Sequence, residues 1–283
     1  MSFSTLLRPA DLMGHLADPG WLVLDCRFEL TEPAAGERAW AASHIPGALY
    51  AHLDRDLSGP VTAATGRHPL PARRSFAATL SRWGVTPATQ VVAYDSSSGM
   101  FAARLWWMLR WAGHDRVAVL DGGLQGWTAA GGSLDQSVQQ RQPARLAPAW
   151  REDMAVSTAD LVPLLARRDR VLVDARGPDR FEGRVEPIDP VAGHVPGAVN
   201  HPCQRNLDAA GRFLPPAELL ERWQATLGGR PPESAICMCG SGVSACNDLL
   251  ALESAGLSGA RLYPGSWSEW IRDPGRPVAR SRG

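Results

Sequence analysis

Four landmarks in this chain occur twice in the same order, and a duplication constrains the fold more than any single motif can. "WLVLDCR" (21–27) returns as "RVLVDAR" (170–176), each a leucine-rich and β-branched run ending in Asp and, two residues on, Arg. "HIPGAL" (44–49) returns 150 residues later as "HVPGAV" (194–199). "QVVAYDSSSGM" (90–100) parallels "SAICMCGSGVS" (234–244), and "DGGLQGW" (121–127) parallels "YPGSWSEW" (263–270). A chain of 283 residues is long enough for two domains that each bury a core. Between the copies, "GGSLDQSVQQRQPARLAPAW" (131–150) is rich in Gly, Gln and Pro and has no sustained apolar period, which reads as a linker. The expected division is residues 1–132, a linker over 133–153, and residues 154–283.

Within each half, short apolar runs such as "VVAY" and "VAVL" fit buried strands, while "RSFAATLSRWG" (74–84) and "PAELLERWQATLG" (216–228) carry helical spacing and stop at Gly. Strands alternating with helices predict α/β domains, each a mainly parallel sheet with helices on both faces. Ligands of such sheets sit beyond the carboxyl ends of the strands, where strand gives way to helix. "AICMCGSGVSACNDLL" (235–250) contains one of those ends. "AICM" is the expected strand; the expected helix from "VSACNDLL" onward carries Ala245, Leu249 and Leu252 on one stripe and stops near Gly256.

Cys239 opens the turn between them and is followed by Gly240 and Gly242. Glycines permit backbone angles closed to other residues, so successive N–H groups, joined by those of the helix N-terminus, can face one anion. Helix N-termini lower a thiol pKa from about 8.5 into the range of roughly 3.5–7.5, which activates the sulfur, and the same donors suit an anionic persulfide. Cys239 is therefore the expected nucleophile. Cys237, Cys246, Cys26 and Cys203 are expected to pack as small buried side chains. Five cysteines, an odd number without zinc-ligand spacing, fit a reducing compartment. Lys plus Arg and Asp plus Glu each number 29, which leaves no net charge to attract nucleic acid or an anionic membrane. The first residues lack a secretory pattern, and no run approaches the roughly 18 apolar residues of a membrane span. The expectation is a cytoplasmic protein that acts on small molecules or other proteins.

The duplicated "HIPGA" signature, "RLWWMLRWAGH" followed by "LDGGLQGW", and "GSWSEW" near the end resemble the tandem-domain sulfurtransferases, the rhodanese and 3-mercaptopyruvate sulfurtransferase family, over nearly the whole chain. The resemblance implies two tandem rhodanese-like domains of which only the second is catalytic. The position matching Cys239 in the first is Asp95, which cannot form a persulfide. It also implies that His68 in "TGRHPLP" faces the active loop, that Asp54 in "HLDRDL" pairs with it, and that both join Ser241 in a proton relay. Arg180 in "DARGPDRFEG" becomes the arginine that binds the substrate carboxylate, a task suited to its fork of donors. Gly240, Gly242, Val243 and Ser244 complete the substrate-binding loop. "CGSGV" is similar to members that use mercaptopyruvate, whereas thiosulfate-preferring members carry basic residues at the second and third loop positions. Mercaptopyruvate-using members also carry a second arginine further along, in an "EPR" context. Here "GRVEPIDPVAGH" has Ile188 and Asp189 at that place, with Arg184 as the nearest alternative, so thiosulfate stays open as the donor.

The reaction implied is a two-step transfer: the Cys239 thiolate takes the outer sulfur of a small-molecule donor as a persulfide, and an acceptor then removes it. The acceptor would be a thiol such as thioredoxin or a small reductant, or cyanide in an assay, and no metal or organic cofactor is needed. Two other readings start from the same loop. A cysteine phosphatase needs an arginine six residues past the cysteine, where this chain has Ala245. A non-catalytic sulfur-carrier or binding module shares the fold, because a fold alone does not fix a function.

Overall fold

A computed structural model describes residues 2–167 and 169–280; the outermost ends of the two expected domains, at residues 1 and 281–283, lie outside them. The chain divides into two compact units, one of Met1–Gly59, Leu70–Arg151 and Ala209–Phe213, the other of Pro60–Pro69, Glu152–Asp208 and Leu214–Gly283. Two short segments thus depart from a linear division. The expected linker also has a place: without regular secondary structure over 136–150, it is strapped to the first unit by backbone bonds from Ala144 to Ser81, Ala149 to Ala112 and Arg151 to Trp111. Trp150 packs edge-on against Trp111 at 4.6 Å.

The first unit holds β1 (Leu6–Leu7), β2 (Trp21–Asp25), β3 (Leu49–Tyr50), β4 (Gln90–Tyr94) and β5 (Val117–Leu120) in the order β1-β5-β4-β2-β3. The second holds β6 (Val171–Asp174), β7 (Val199–Asn200), β8 (Ala235–Met238) and β9 (Arg261–Leu262) in the order β7-β6-β8-β9. Every pair is parallel. Strands β4, β5, β6 and β8 are buried at each residue, as happens when helices cover both faces of a sheet. The helices Arg73–Arg82 and Pro216–Leu227 end before Gly84 and Gly228, which adopt the left-handed angles (φ +70° and +59°) that let a chain leave a helix without a side-chain clash. The registers match as well. Asp25 lies opposite Tyr94 and Asp174 opposite Met238, so Asp95 and Cys239 leave equivalent strands at the same level.

The repeated motifs build scaffold rather than site. Arg27 grips Asp25 and donates to the Ser43 carbonyl at 2.6 Å; Arg176 grips Asp174 and donates to the Gly193 carbonyl at 2.8 Å. In the "HIPGA" and "HVPGA" stretches, His44 and His194 each donate through Nδ1 to a carbonyl, of Trp40 and Phe181, at 2.7 Å, and each ring stacks on that same residue. One expectation needs correction. The helix after Cys239, Ala245–Ser254, is buried at every position from 245 to 252 and not along one stripe. Neighbouring elements enclose it on all sides, which is why Asn247 and Asp248 lie inside; Gly256 (φ +77°) follows its end.

Candidate active site

Cys239 is the first residue past β8, and three bonds fix the loop it opens. Its N–H donates to Ser266 Oγ at 3.0 Å, its carbonyl accepts from Trp267 N–H at 3.0 Å, and the Gly240 carbonyl accepts from Ser268 N–H at 2.9 Å. Ser266 holds φ +53°, a conformation costly for a residue with a side chain; its hydroxyl offsets the strain by accepting from Cys239 and donating to the Tyr263 carbonyl at 2.9 Å. The Gly242 N–H donates to Cys239 Sγ at 3.2 Å, so an amide of the turn does face the sulfur. Cys239 is only 2 % exposed.

The two glycines act differently from each other, and the expectation that both supply unusual backbone angles is corrected. Gly242 does, with φ +76°, and a side-chain carbon there would lie 2.5 Å from the Pro264 carbonyl oxygen. Gly240 is not left-handed; a side-chain carbon there would lie 2.8 Å from Arg67 Nη2 and 3.6 Å from both terminal nitrogens of Arg180. Gly240 therefore makes room for the Arg67 guanidinium, with the Arg180 head in ordinary contact distance beyond it. Val243 is buried and Ser244, beside the helix start, is partly exposed.

His68 stands at this loop because residues 60–69 pack in the second unit. The Arg67 N–H donates to Ser268 Oγ at 3.1 Å, Arg272 Nε donates to the Thr65 carbonyl at 3.1 Å, and Gly66 runs so close that an added carbon would meet the Gly265 carbonyl oxygen at 2.6 Å. His68 Nδ1 and Ser241 Oγ are then 2.8 Å apart, both residues buried. Asp54 lies in the first unit on the short helix Leu53–Asp56, exposed, with its N–H on His52 Nδ1.

Arg180, on the helix Pro178–Glu182, donates to Glu186 at 2.7 and 3.1 Å and to Asp189 Oδ2 at 3.2 Å; Arg67 pairs with the other Asp189 oxygen. Arg176 reaches Glu186 at 3.4 Å from its pairing with Asp174. Burial pushes the Asp189 carboxyl above its usual range, against the pull of Arg67 and Arg180. Burial acts the same way on Glu186, but the Arg180 bond and the Asp189 N–H prevail and hold it below its usual range. Arg184 is not the missing second arginine: its guanidinium belongs to Asp179 and Glu182 at the surface.

Behind the loop, Asp248 accepts from Asn206 Nδ2 at 2.7 Å, and desolvation drives its carboxyl well above the ordinary range. Asn206 Oδ1 accepts from Trp223, and His201 Nε2 lies 3.1 Å from it; burial lowers the His201 pKa to about 4. Cys237, Cys246, Cys203 and Cys26 are buried free thiols, and desolvation raises Cys26, Cys203 and Cys237. Cys246 Sγ donates to the Gly242 carbonyl at 3.4 Å, as a packing residue does. Among the described residues no group of three His, Cys, Asp or Glu side chains is placed to hold a metal ion, and no helix is long and apolar enough to cross a membrane.

Ser266, Arg67 and Asp189 were not singled out as site residues from the sequence. A signal existed for the first two. "YPGS" aligns with "LDGG", which puts Ser266 at the place of Gly123 (φ +57°) and marks it as a left-handed position. "GRHPLP" (66–71) is also repeated, as "GRFLPP" (211–216), which marks residues 66–68 as part of the duplicated machinery.

The rhodanese-like domain model matches residues 8–130 and again 157–273. A Pseudomonas aeruginosa protein named "Probable 3-mercaptopyruvate sulfurtransferase" is 48 % identical over 99 % of each chain. A Mycobacterium tuberculosis protein named "Putative thiosulfate sulfurtransferase SseB" is 41 % identical, over 97 % of this chain and 96 % of that one. The solved structure of 3-mercaptopyruvate sulfurtransferase from Leishmania major superposes with a TM-score of 0.84 at 30 % identity, over 96 % of this chain and 76 % of that one. With its domain present twice, this chain belongs to the rhodanese-like family.

Proposed function

We propose that this protein is a sulfurtransferase that moves sulfur from 3-mercaptopyruvate through a persulfide on Cys239 to a thiol acceptor. The observation that carries the reading is the Cys239 loop: a sulfur facing the Gly242 amide, with the Ser241–His68 pair and the Arg180 head beside the same turn. In the first step the Cys239 thiolate attacks the donor's thiol sulfur. The carbon–sulfur bond breaks, and its electron pair leaves with the pyruvate enolate. Ser241, coupled to His68 at 2.8 Å, returns a proton to that carbon, with Asp54 as the expected carboxylate partner of the histidine. Arg180 orients the carboxylate, while Gly240, Gly242, Val243 and Ser244 shape the cradle. In the second step a thiolate acceptor, thioredoxin or a small reductant, attacks the outer sulfur and regenerates the Cys239 thiolate.

Thiosulfate is the second donor reading, supported by the name of the 41 % identical relative and by two guanidinium groups beside Gly240 that also suit a dianion. The test is kcat/KM for both donors on one preparation. A higher value for 3-mercaptopyruvate supports the first reading, a higher value for thiosulfate the second, and no turnover with either removes both.

A further inference from the structure

Two guanidinium groups flank the cysteine loop, and one carboxylate bridges them. The Arg67 head lies 2.8 Å, and the Arg180 head 3.6 Å, from where a Gly240 side chain would begin. Asp189 accepts from Arg67 with Oδ1 and from Arg180 with Oδ2, and its side chain is 3 % exposed beneath arginine side chains that retain 26 % and 21 %. Glu186 bonds Arg180 through Nε and the same Nη2 that meets Asp189, and reaches Arg176, itself paired with Asp174. Three arginines thus face three carboxylates, and the formal charge cancels. Arg67 Nη2 and Arg180 Nη1, both beside Gly240, are not the nitrogens that bond Asp189, which takes Arg67 Nη1 and Arg180 Nη2, so a donor anion can engage the clamp with Asp189 left in place as its charged neighbour.

We propose that Arg67 and Arg180 form a two-armed anion clamp and that Asp189, bridging both arms as a donor's carboxylate would, is the specificity-determining residue of the site. This rests on the sulfurtransferase reading and deepens it. Asp189 stays between the two arms as a fixed single negative charge beside the arriving donor. Its negative charge also repels a donor in proportion to the donor's own charge, which penalises a dianion twice as much as a monoanion. The site therefore selects short keto-acid thiols over thiosulfate-like dianions.

Steady-state kinetics of Asp189→Asn and Arg67→Gln with both donors test this. Removing the Asp189 charge beside the donor lowers KM by about threefold for 3-mercaptopyruvate and about tenfold for thiosulfate, so the thiosulfate to mercaptopyruvate ratio of kcat/KM rises about threefold. Arg67→Gln moves the ratio the other way, chiefly through KM. Asp189→Ser repeats the charge removal where Asp189→Asn fails to fold. A ratio unchanged or lowered in the folded Asp189 variants overturns the specificity role, and a ratio unchanged or raised in Arg67→Gln overturns the clamp. A wild-type protein that forms no persulfide with either donor overturns the sulfurtransferase reading instead, so the two failures are distinguishable.

Discussion

The loops that follow β4 and β8 leave equivalent strands and use their amides for opposite ends. At Asp95 the chain supplies its own acceptor, whose carboxyl burial pushes above its usual range against the pull of four amides. Oδ1 accepts from the N–H groups of Ser97 and Gly99 at 2.8 and 2.9 Å, and Oδ2 from those of Phe101 and Ala102 at 2.8 and 2.9 Å. At Cys239 a sulfur stands at the equivalent place with the Gly242 N–H at 3.2 Å. The frames around them agree: Leu124 N–H donates to the Asp95 carbonyl at 2.9 Å as Trp267 N–H does to that of Cys239 at 3.0 Å. The segments laid beside them agree too, with Phe213 (its N–H on Asp121) in the first unit where His68 stands in the second. One loop is completed by a fixed carboxylate and a phenyl ring, the other by a thiol, an imidazole and two guanidinium heads. The same strand-to-helix turn thus encloses a carboxylate held by four amides in one copy and a thiol facing the Gly242 amide in the other.

The comparison breaks most visibly at the two anion positions. Cys239→Ser is expected to lower kcat by at least about a thousandfold, since no persulfide can form, while urea denaturation stays within about 1 kcal/mol of wild type. Asp95→Ala has the reverse signature. It strands three buried N–H donors and a fourth that is partly buried, and costs about 3 kcal/mol or more in the same denaturation measurement.

Acid distinguishes the units next. His201 follows β7, and its counterpart after β3 is Ala51; both backbone N–H groups bond to the matched aspartate carbonyl, at 3.1 and 2.9 Å. Burial lowers the His201 pKa to about 4 from an ordinary 6.5. The unfolded chain therefore binds the proton more readily. The stability His201 contributes is intact above about pH 6.5 and declines by about 3 kcal/mol as pH falls to about 4. Hydrogen exchange at pH 7 and pH 5 should show the second unit losing protection first, and His201→Ala should flatten that dependence. The smallest effect concerns backbone geometry. Gly123 and Ser266 share a left-handed φ, but a side-chain carbon on Gly123 would meet the Asp95 carbonyl oxygen at 2.4 Å, so Gly123→Ser costs about 2 kcal/mol in thermal unfolding. Ser266→Gly relieves strain instead, and its cost appears in kcat through a less fixed Cys239 N–H.

Much of this was legible in the sequence because it is local or repeated. Strands as apolar runs, helix ends at Gly84 and Gly228, and Cys239 at a strand-to-helix turn all follow from short patterns. Gly240 was misread because its need for space comes from Arg67, 173 residues away in the chain, where the glycine itself suggested a local backbone cause. The pairing of Arg67 with Asp189 was unreadable for the same reason: it exists only once residues 60–69 pack beside Ser268 and Arg272. The helix Ala245–Ser254 defeated a one-stripe reading because a helix enclosed on every side has no solvent face to encode.

The central claim is that Cys239, and no other thiol, carries the transferred sulfur. It is tested most directly by incubating the protein with 3-mercaptopyruvate and no acceptor, then locating added mass by fragmentation of its peptides. One added sulfur atom on Cys239, lost on addition of a thiol, is the predicted result. Added sulfur on Cys237, Cys246, Cys203 or Cys26, or none on any cysteine, would contradict the account.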